Sequence, residues 1–231
     1  MSGTYAIIPA RGDSEGYKSR NLQEIKGVSL LGIAIRQAQN SEEIDHIIVN
    51  SDDEEIRDVA TQYGATTFDR PDRFATGNRM MEVDRLLSWQ VTKLEEADHT
   101  INEVVVLYPT SPLRTVAAID DTIRKVTHEG YDSALTLHKD NRYLWKVDNG
   151  TVSPTNHDPQ KRGPKKLEDW NQWVETKSVY VVVRDLLITK GYRVAGEVGY
   201  VEMARHRSIN IDTEVDFELA RFIAEVDGVS W

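Results

Sequence analysis

Residues 5–50 narrow what this chain can fold into more than any other stretch. An apolar run, Tyr5-Ala6-Ile7-Ile8, breaks at Pro9 into a loop of glycines, small polar residues and cations that extends to Asn21. Residues 28–40 then carry Leu30, Leu31, Ile33, Ala34, Ile35 and Ala38 at the spacing of an amphipathic helix, and residues 44–50 form a β-branched run. Strand, loop, helix and strand in that order make a βαβ unit. Such a unit commits the chain to an α/β fold on a mostly parallel sheet.

The alternation continues. Asp52 or Asp53 caps a predicted helix running to Tyr63, with Glu54 and Glu55 in the first turn, where the helix dipole favours acids, and Gly64 closing it. A short strand is predicted over 65–68, an irregular stretch over 70–77, and a helix over 80–97 with Met81, Val83, Leu86, Leu87, Val91 and Leu94 at core spacing. Residues 103–108 form a second fully buried strand that also ends in a loop, Pro109-Thr110-Ser111-Pro112-Leu113-Arg114-Thr115. A helix over 117–129 and a strand over 133–138 follow. The stretch 141–175 loses periodicity, with Tyr143, Trp145, Trp170 and Trp173 lying among Gly, Pro, Asn, Asp and Lys. It reads as an inserted arm, too polar for a core and too aromatic for a disordered linker, and suited to burial against a second subunit. Strands over 178–183 and 198–203 and helices over 185–190 and 216–225 complete a single domain of 231 residues.

The loop at residues 9–21 has the make-up of an anion site. Gly12 and Gly16 let backbone N–H groups approach a ligand closely, and Arg11, Lys18 and Arg20 supply charge. It matches neither GxGxxG nor the Walker A pattern, because no helix opens directly after its glycines. The chain as a whole carries a formal net charge of −10, which argues against a nucleic-acid partner. An acidic protein that binds a polyphosphate needs local cations or a divalent metal, and so carboxylates able to hold Mg2+. Residues 210 and 212, two apart, point the same way if extended, so Asn210 and Asp212 could offer oxygens to one cation, while a helix N-cap is the alternative for 208–214. No pair among the six histidines has zinc spacing, the chain contains no cysteine, and Ser14 and Ser111 lack a nucleophile elbow. Without a leader pattern or an apolar run of membrane length, the expectation is a cytoplasmic protein with no membrane partner.

Several separated motifs carry a resemblance: Ile8-Pro9-Ala10-Arg11-Gly12, Lys18-Ser19-Arg20-Asn21, Ser51-Asp52-Asp53-Glu54-Glu55-Ile56, Arg70-Pro71, Tyr108-Pro109-Thr110-Ser111-Pro112-Leu113-Arg114-Thr115 and Ser208-Ile209-Asn210-Ile211-Asp212-Thr213-Glu214. In this order and at these intervals the chain resembles the acylneuraminate cytidylyltransferases, or CMP-sialic acid synthetases. The resemblance implies a Rossmann-like nucleotidyltransferase domain with helices on both sheet faces and a protruding dimerisation arm. It also implies transfer of CMP from CTP to a 2-keto-3-deoxy sugar acid, with Mg2+ (or Mn2+), by a homodimer.

Carried over by position, the resemblance assigns Ala10, Arg11, Gly12, Ser14, Arg20, Asn21, Thr76, Pro109 and Thr110 to the nucleotide. Tyr108, Ser111 and Tyr180 go to the sugar, as does a basic arm residue, Arg162, Lys165 or Lys166. Asp212, with Asn210, goes to the metal, and Arg11, Arg20 and Asp212 carry the reaction. The chain departs from the family pattern at Glu15, where lysine is usual, and at Tyr108, where glutamine is usual. It departs again at Thr176-Lys177 in place of Asn-Gly, and at Asn210-Ile211-Asp212 in place of Asp-Ile-Asp. Two alternatives stay open: the same chemistry on 3-deoxy-manno-octulosonate, legionaminate or pseudaminate, and a non-catalytic sugar-nucleotide binding protein.

Overall fold

The computed structural model of the chain describes residues 2–12, 20–75 and 80–231. Strand β1 (Ser2–Pro9) has Tyr5, Ala6, Ile7 and Ile8 wholly out of solvent, the mark of a strand covered on both faces. After the loop come two-residue strands β2 (Glu24–Ile25) and β3 (Val28–Ser29), paired antiparallel around Lys26 and Gly27, both at positive φ as a tight hairpin requires. The Ser29 hydroxyl accepts from the Gly32 N–H and caps α1 (Leu30–Gln39). Then follow β4 (His46–Ser51), α2 (Glu54–Gln62), β5 (Thr66–Asp69), α3 (Asp72–Ala75), α4 (Met80–Glu95) and β6 (Thr100–Leu107). Asp53, not Asp52, is the cap of α2; its carboxylate accepts from the Ile56 N–H. The second half holds α5 (Val116–Thr127), β7 (Ser133–Lys139), β8 (Trp145–Asp148), β9 (Thr151–Pro154), β10 (Trp173–Val183), α6 (Arg184–Lys190), β11 (Val198–Glu202) and α7 (Glu214–Val226).

Seven strands form one sheet in the order β11-β7-β10-β6-β1-β4-β5. β1 runs parallel to β4 and β6, β4 to β5 and β7 to β11, whereas β10 runs antiparallel to both its neighbours. The expected mixed, mostly parallel sheet is therefore present. One face is covered by Leu31, Ala34 and Ile35 of α1, Ile56 of α2 and Ile119 and Ile123 of α5. The other is covered by Leu87, Val91 and Leu94 of α4 and Leu187 of α6. Helix α1 is buried all round because α7 packs on its outer side, bringing Phe217, Ala220 and Ala224 against Leu30 and Ile33. Each fully buried Leu or Ile contributes about 1.5–3 kcal/mol over its exposed state, so α1 is an anchor of the fold. From β1 the chain winds first to β4 and β5, then returns to β6 on the other side. The strand order thus reverses at the β1/β6 junction, where an open α/β sheet forms its ligand crevice.

The sequence reading differs from the structure in a few places. The stretch read as irregular contains the short helix α3, and β6 starts at Thr100 rather than 103. Strand β10 starts at Trp173, inside the segment read as arm, and loses register with β7 between Glu175 and Tyr180. The polar pair Thr176-Lys177 breaks the apolar run there, so periodicity alone finds only the second half of the strand. The arm proper holds the β8–β9 hairpin, turning on Asn149 and Gly150, both at positive φ. Its aromatic residues pack mainly on one another: Tyr143 lies 4.6 Å from His157 and 5.2 Å from Trp170, and Trp170 is buried.

Candidate active site

A cleft of about 220 Å3 opens over the carboxyl ends of β1 and β6. Among the residues expected to act, Arg11, Arg20, Asn21, Tyr108, Pro109, Thr110, Asn210 and Asp212 line it together, although they come from three distant parts of the chain. Arg70, Phe74, Glu82 and Lys177 also line it, and sequence reasoning gave none of them a role. Two of them had left a signal, Arg70 in the Arg-Pro motif and Lys177 as a departure from the family pattern. Ser14 and Thr76 lie outside the described residues.

The β1 side is built by close backbone approach. The Ala10 N–H donates to the Asn50 carbonyl at 3.0 Å and the Gly12 N–H to the Asp52 carboxylate at 3.2 Å. A Cβ at Gly12 would lie 2.6 Å from an Asp53 carboxylate oxygen, so no larger residue fits without displacing the α2 cap. Asn21 is buried and its amide donates to the Arg11 carbonyl at 2.9 Å, tying the end of the loop back to its start. The Arg20 guanidinium donates to the Ile211 carbonyl at 2.7 Å and reaches Asp212 at 3.3 Å. Burial lowers its pKa, and Asp212 opposes that shift. Arg70 is also buried, donating to both the side chain and the carbonyl of Asn50 at 2.9 and 3.0 Å. Burial brings its pKa down to about 10, which leaves it charged at neutral pH.

The loop after β6 is fixed from beneath by Arg114, whose side chain is fully buried. It donates to the carbonyls of Tyr108 at 2.7 Å and Ser178 at 3.2 Å, and burial lowers its pKa to about 9. Gln37 of α1 holds the same loop through the carbonyls of Pro112 and Arg114, both at 2.8 Å. On the cleft side, the Ile211 N–H donates to the Thr110 carbonyl at 2.8 Å, joining this loop to the segment before α7.

Five of the expected sugar-side residues do not line this cleft. Ser111 is buried, with its hydroxyl donating to the Lys177 carbonyl. Tyr180 is buried behind Tyr108, the rings edge-on at 6.1 Å, and its hydroxyl donates to Glu175. It backs the cleft wall instead of forming it, because β10 turns its inward face toward the core at that position. Lys165 and Lys166 are exposed on the arm, away from the cleft of their own chain. So is Arg162, whose guanidinium stacks 4.1 Å over the Tyr143 ring. Tyr108 does line the cleft. Burial pushes its phenol up to about 12, and its hydroxyl has no hydrogen-bond partner among the described residues. Behind it lies a buried ion pair, Arg193 with Asp84, the guanidinium 4.7 Å over the Tyr180 ring. Burial works against the Arg193 charge, but Tyr108, Asp84 and Tyr180 outweigh it and push the pKa up.

A family model described as cytidylyltransferase matches residues 5–151, which include most of β1, its loop and the β6 loop. The chain belongs to the cytidylyltransferase family. Among relatives in that family, N-acylneuraminate cytidylyltransferase A of Danio rerio is 30% identical over 93% of this chain. The CMP-N,N'-diacetyllegionaminic acid synthase of Campylobacter jejuni is 25% identical over the whole of it and 98% of its own length. The chain spans about half the length of the N-acylneuraminate cytidylyltransferases it matches, 49% for the Danio rerio protein. In fold it is similar to a CMP:2-keto-3-deoxy-manno-octonic acid synthetase complexed with CTP, with a TM-score of 0.71 at 15% identity over 97% of this chain and 99% of that one.

For a cytidylyltransferase the cleft has apt electrostatics. Arg11, Arg20, Arg70 and Lys177 face Glu82 and Asp212, a local excess of positive charge in a chain of net charge −10. Asp212, with 63% of its side chain exposed, lines the cleft 3.3 Å from Arg20. Asn210 lies beside it, but presents nitrogen: its amide donates to Asp212 at 2.7 Å while its oxygen accepts from the Thr110 hydroxyl at 2.8 Å. The pair as arranged therefore offers one carboxylate, not the two converging oxygens the spacing suggested. No group of three or more metal-binding side chains gathers among the described residues. A single carboxylate still fits Mg2+, which commonly takes one or two protein carboxylates and fills its octahedron with phosphate oxygens and water. The helix-cap reading of this segment also holds, through Thr213 and Asp216 in a reciprocal capping box. Because Thr213 is the cap, Asp212 is left facing the cleft.

Proposed function

We propose that the protein transfers CMP from CTP to the anomeric hydroxyl of a 2-keto-3-deoxy sugar acid of the nine-carbon type, releasing pyrophosphate. What carries this reading is the meeting of Arg11, Arg20, Asn21, Thr110 and Asp212 in one cleft at the sheet's switch point, in a chain of this family. The relatives named for CMP-activated sugar acids support the acceptor class. The hydroxyl oxygen bonds to the α-phosphorus, the bridging bond to the β-phosphate breaks, and pyrophosphate takes the electron pair. Arg11 and Arg20 hold the triphosphate and offset its charge, and the loop from Tyr108 to Thr110 aligns nucleotide and sugar. Mg2+ held by Asp212 would neutralise the phosphates and acidify the attacking hydroxyl. The β8–β9 hairpin exposes Leu144, Trp145, Val147 and Val152, an apolar surface suited to a second copy of the chain, so we infer a homodimer. A cysteine-free chain that uses a nucleoside triphosphate fits the cytoplasm.

The test is pyrophosphate release from CTP with N-acetylneuraminate, legionaminate, pseudaminate and 3-deoxy-manno-octulosonate as acceptors. Turnover is expected with a nine-carbon acid, and Asp212→Ala should reduce it by about 100-fold or more. CTP binding without turnover on any acceptor would leave a sugar-nucleotide binding protein in its place.

A further inference from the structure

Lys177 stands in a backbone conformation that residues with a Cβ seldom hold, at φ 54°. It lies where β10 falls out of register with β7, and both its neighbours are pinned. Buried Thr176 donates its hydroxyl to the Thr136 carbonyl at 3.0 Å. The carbonyl of buried Ser178 accepts from Arg114, and the carbonyl of Lys177 itself accepts from Ser111. The bulge is thus fixed on each side, and the residue at its crest, an exposed lysine, lines the cleft. The Arg20 and Arg70 guanidiniums are engaged with protein oxygens, but the Lys177 ammonium has no hydrogen bond or ion pair among the described residues.

Position says which anion it meets. Arg11, Arg20 and Asn21 occupy the β1 end of the cleft, while β10 borders β6 on the side away from β1, with Val179 opposite Leu107. Lys177 therefore stands across the Tyr108 loop from the phosphate-binding end. We infer that Lys177 binds the carboxylate of the sugar-acid acceptor, so that the cation selecting an acid comes from the same subunit and not from a partner's arm. This rests on the cytidylyl-transfer reading above. Backbone strain at a cleft-lining position is consistent with it, since strained residues cluster at ligand-binding sites.

The experiment is steady-state kinetics of Lys177→Gln, Lys177→Gly and Lys177→Arg with CTP and the acceptor that wild type uses, together with melting temperatures and calorimetric binding of the same acid. Losing a charge-assisted contact should raise the acceptor KM by about 10- to 100-fold in the Gln and Gly variants, with the CTP KM unchanged and Arg restoring most of the loss. Lys177→Gly should melt no lower than wild type, because glycine suits the left-handed backbone. The triple change of Arg162, Lys165 and Lys166 to Gln should move the acceptor KM less than Lys177→Gln does. An acceptor KM indifferent to Lys177, a rise in CTP KM instead, a larger effect from the arm variant, or KM changes in both substrates that track a lowered melting temperature would each overturn the inference. Wild type that binds the acid through Lys177 without releasing pyrophosphate would overturn the reaction but keep the lysine. Neither binding nor turnover would overturn both.

Discussion

Arg20 joins two parts of the molecule and lines the cleft at the same time. Its guanidinium holds the Ile211 carbonyl and Asp212, and only 14% of its side chain is exposed. An exposed cation could be removed with little change in stability, but this one cannot. Arg20→Ala should weaken CTP binding by about 1.5–3 kcal/mol and also lower unfolding stability by about 1 kcal/mol, since the Ile211 carbonyl loses its donor. Calorimetric titration with CTP and urea denaturation would measure the two effects separately; unchanged CTP affinity would refute the assignment. Arg20 and Asp212 were both readable from their motifs. Lys177 was visible only as a departure, because its reach into the cleft depends on a bulge that no periodicity describes.

At the level of elements, the loop after β6 owes its shape to a buried arginine with no carboxylate beside it. Arg114→Met would spare the cost of an unpaired buried charge but leave the Ser178 carbonyl without its donor and the Tyr108 carbonyl with the Ser111 N–H alone. The second effect should win, with a loss of about 1–3 kcal/mol in unfolding stability and a fall in kcat/KM as Tyr108 and Thr110 lose their support. Stability equal to wild type would mean that the loop stands without its buried strut. Burial depresses this pKa to about 9 from an unfolded value near 12.5, so the protonated arginine costs stability below about pH 9 and the cost fades as pH rises above it. The helices and central strands were legible because burial imposes their period: α1, α4 and α5 fall within two residues of their predicted starts. The β2–β3 hairpin and the first half of β10 were not, being too short or too polar for a period to register.

For the whole molecule, the proposed homodimer rests on the arm. The sequence pointed to Trp170 and Trp173 as interface residues, but Trp170 is buried within the arm and Trp173 packs against Tyr200, the rings tilted with centroids 5.1 Å apart. Changing them would dismantle the arm itself. Val147 and Val152 stand opposite each other on the hairpin and are 68% and 58% exposed. Val147→Asp with Val152→Asp should therefore shift a dimer toward monomer in sedimentation without lowering the melting temperature of the sheet domain. A wild-type monomer at micromolar concentration would contradict the assembly. The chain leaves the sheet at Asp140 and returns at Gln172, whose carbonyl accepts from the Asp140 N–H at 3.0 Å. The ends of this excursion are thus already held together by the strands on either side. Its closure entropy grows only with the logarithm of its length, so insertions and deletions there change the folding free energy of the sheet very little. Insertions in this excursion can therefore alter the surface proposed for association while the sheet and its cleft stay as they are.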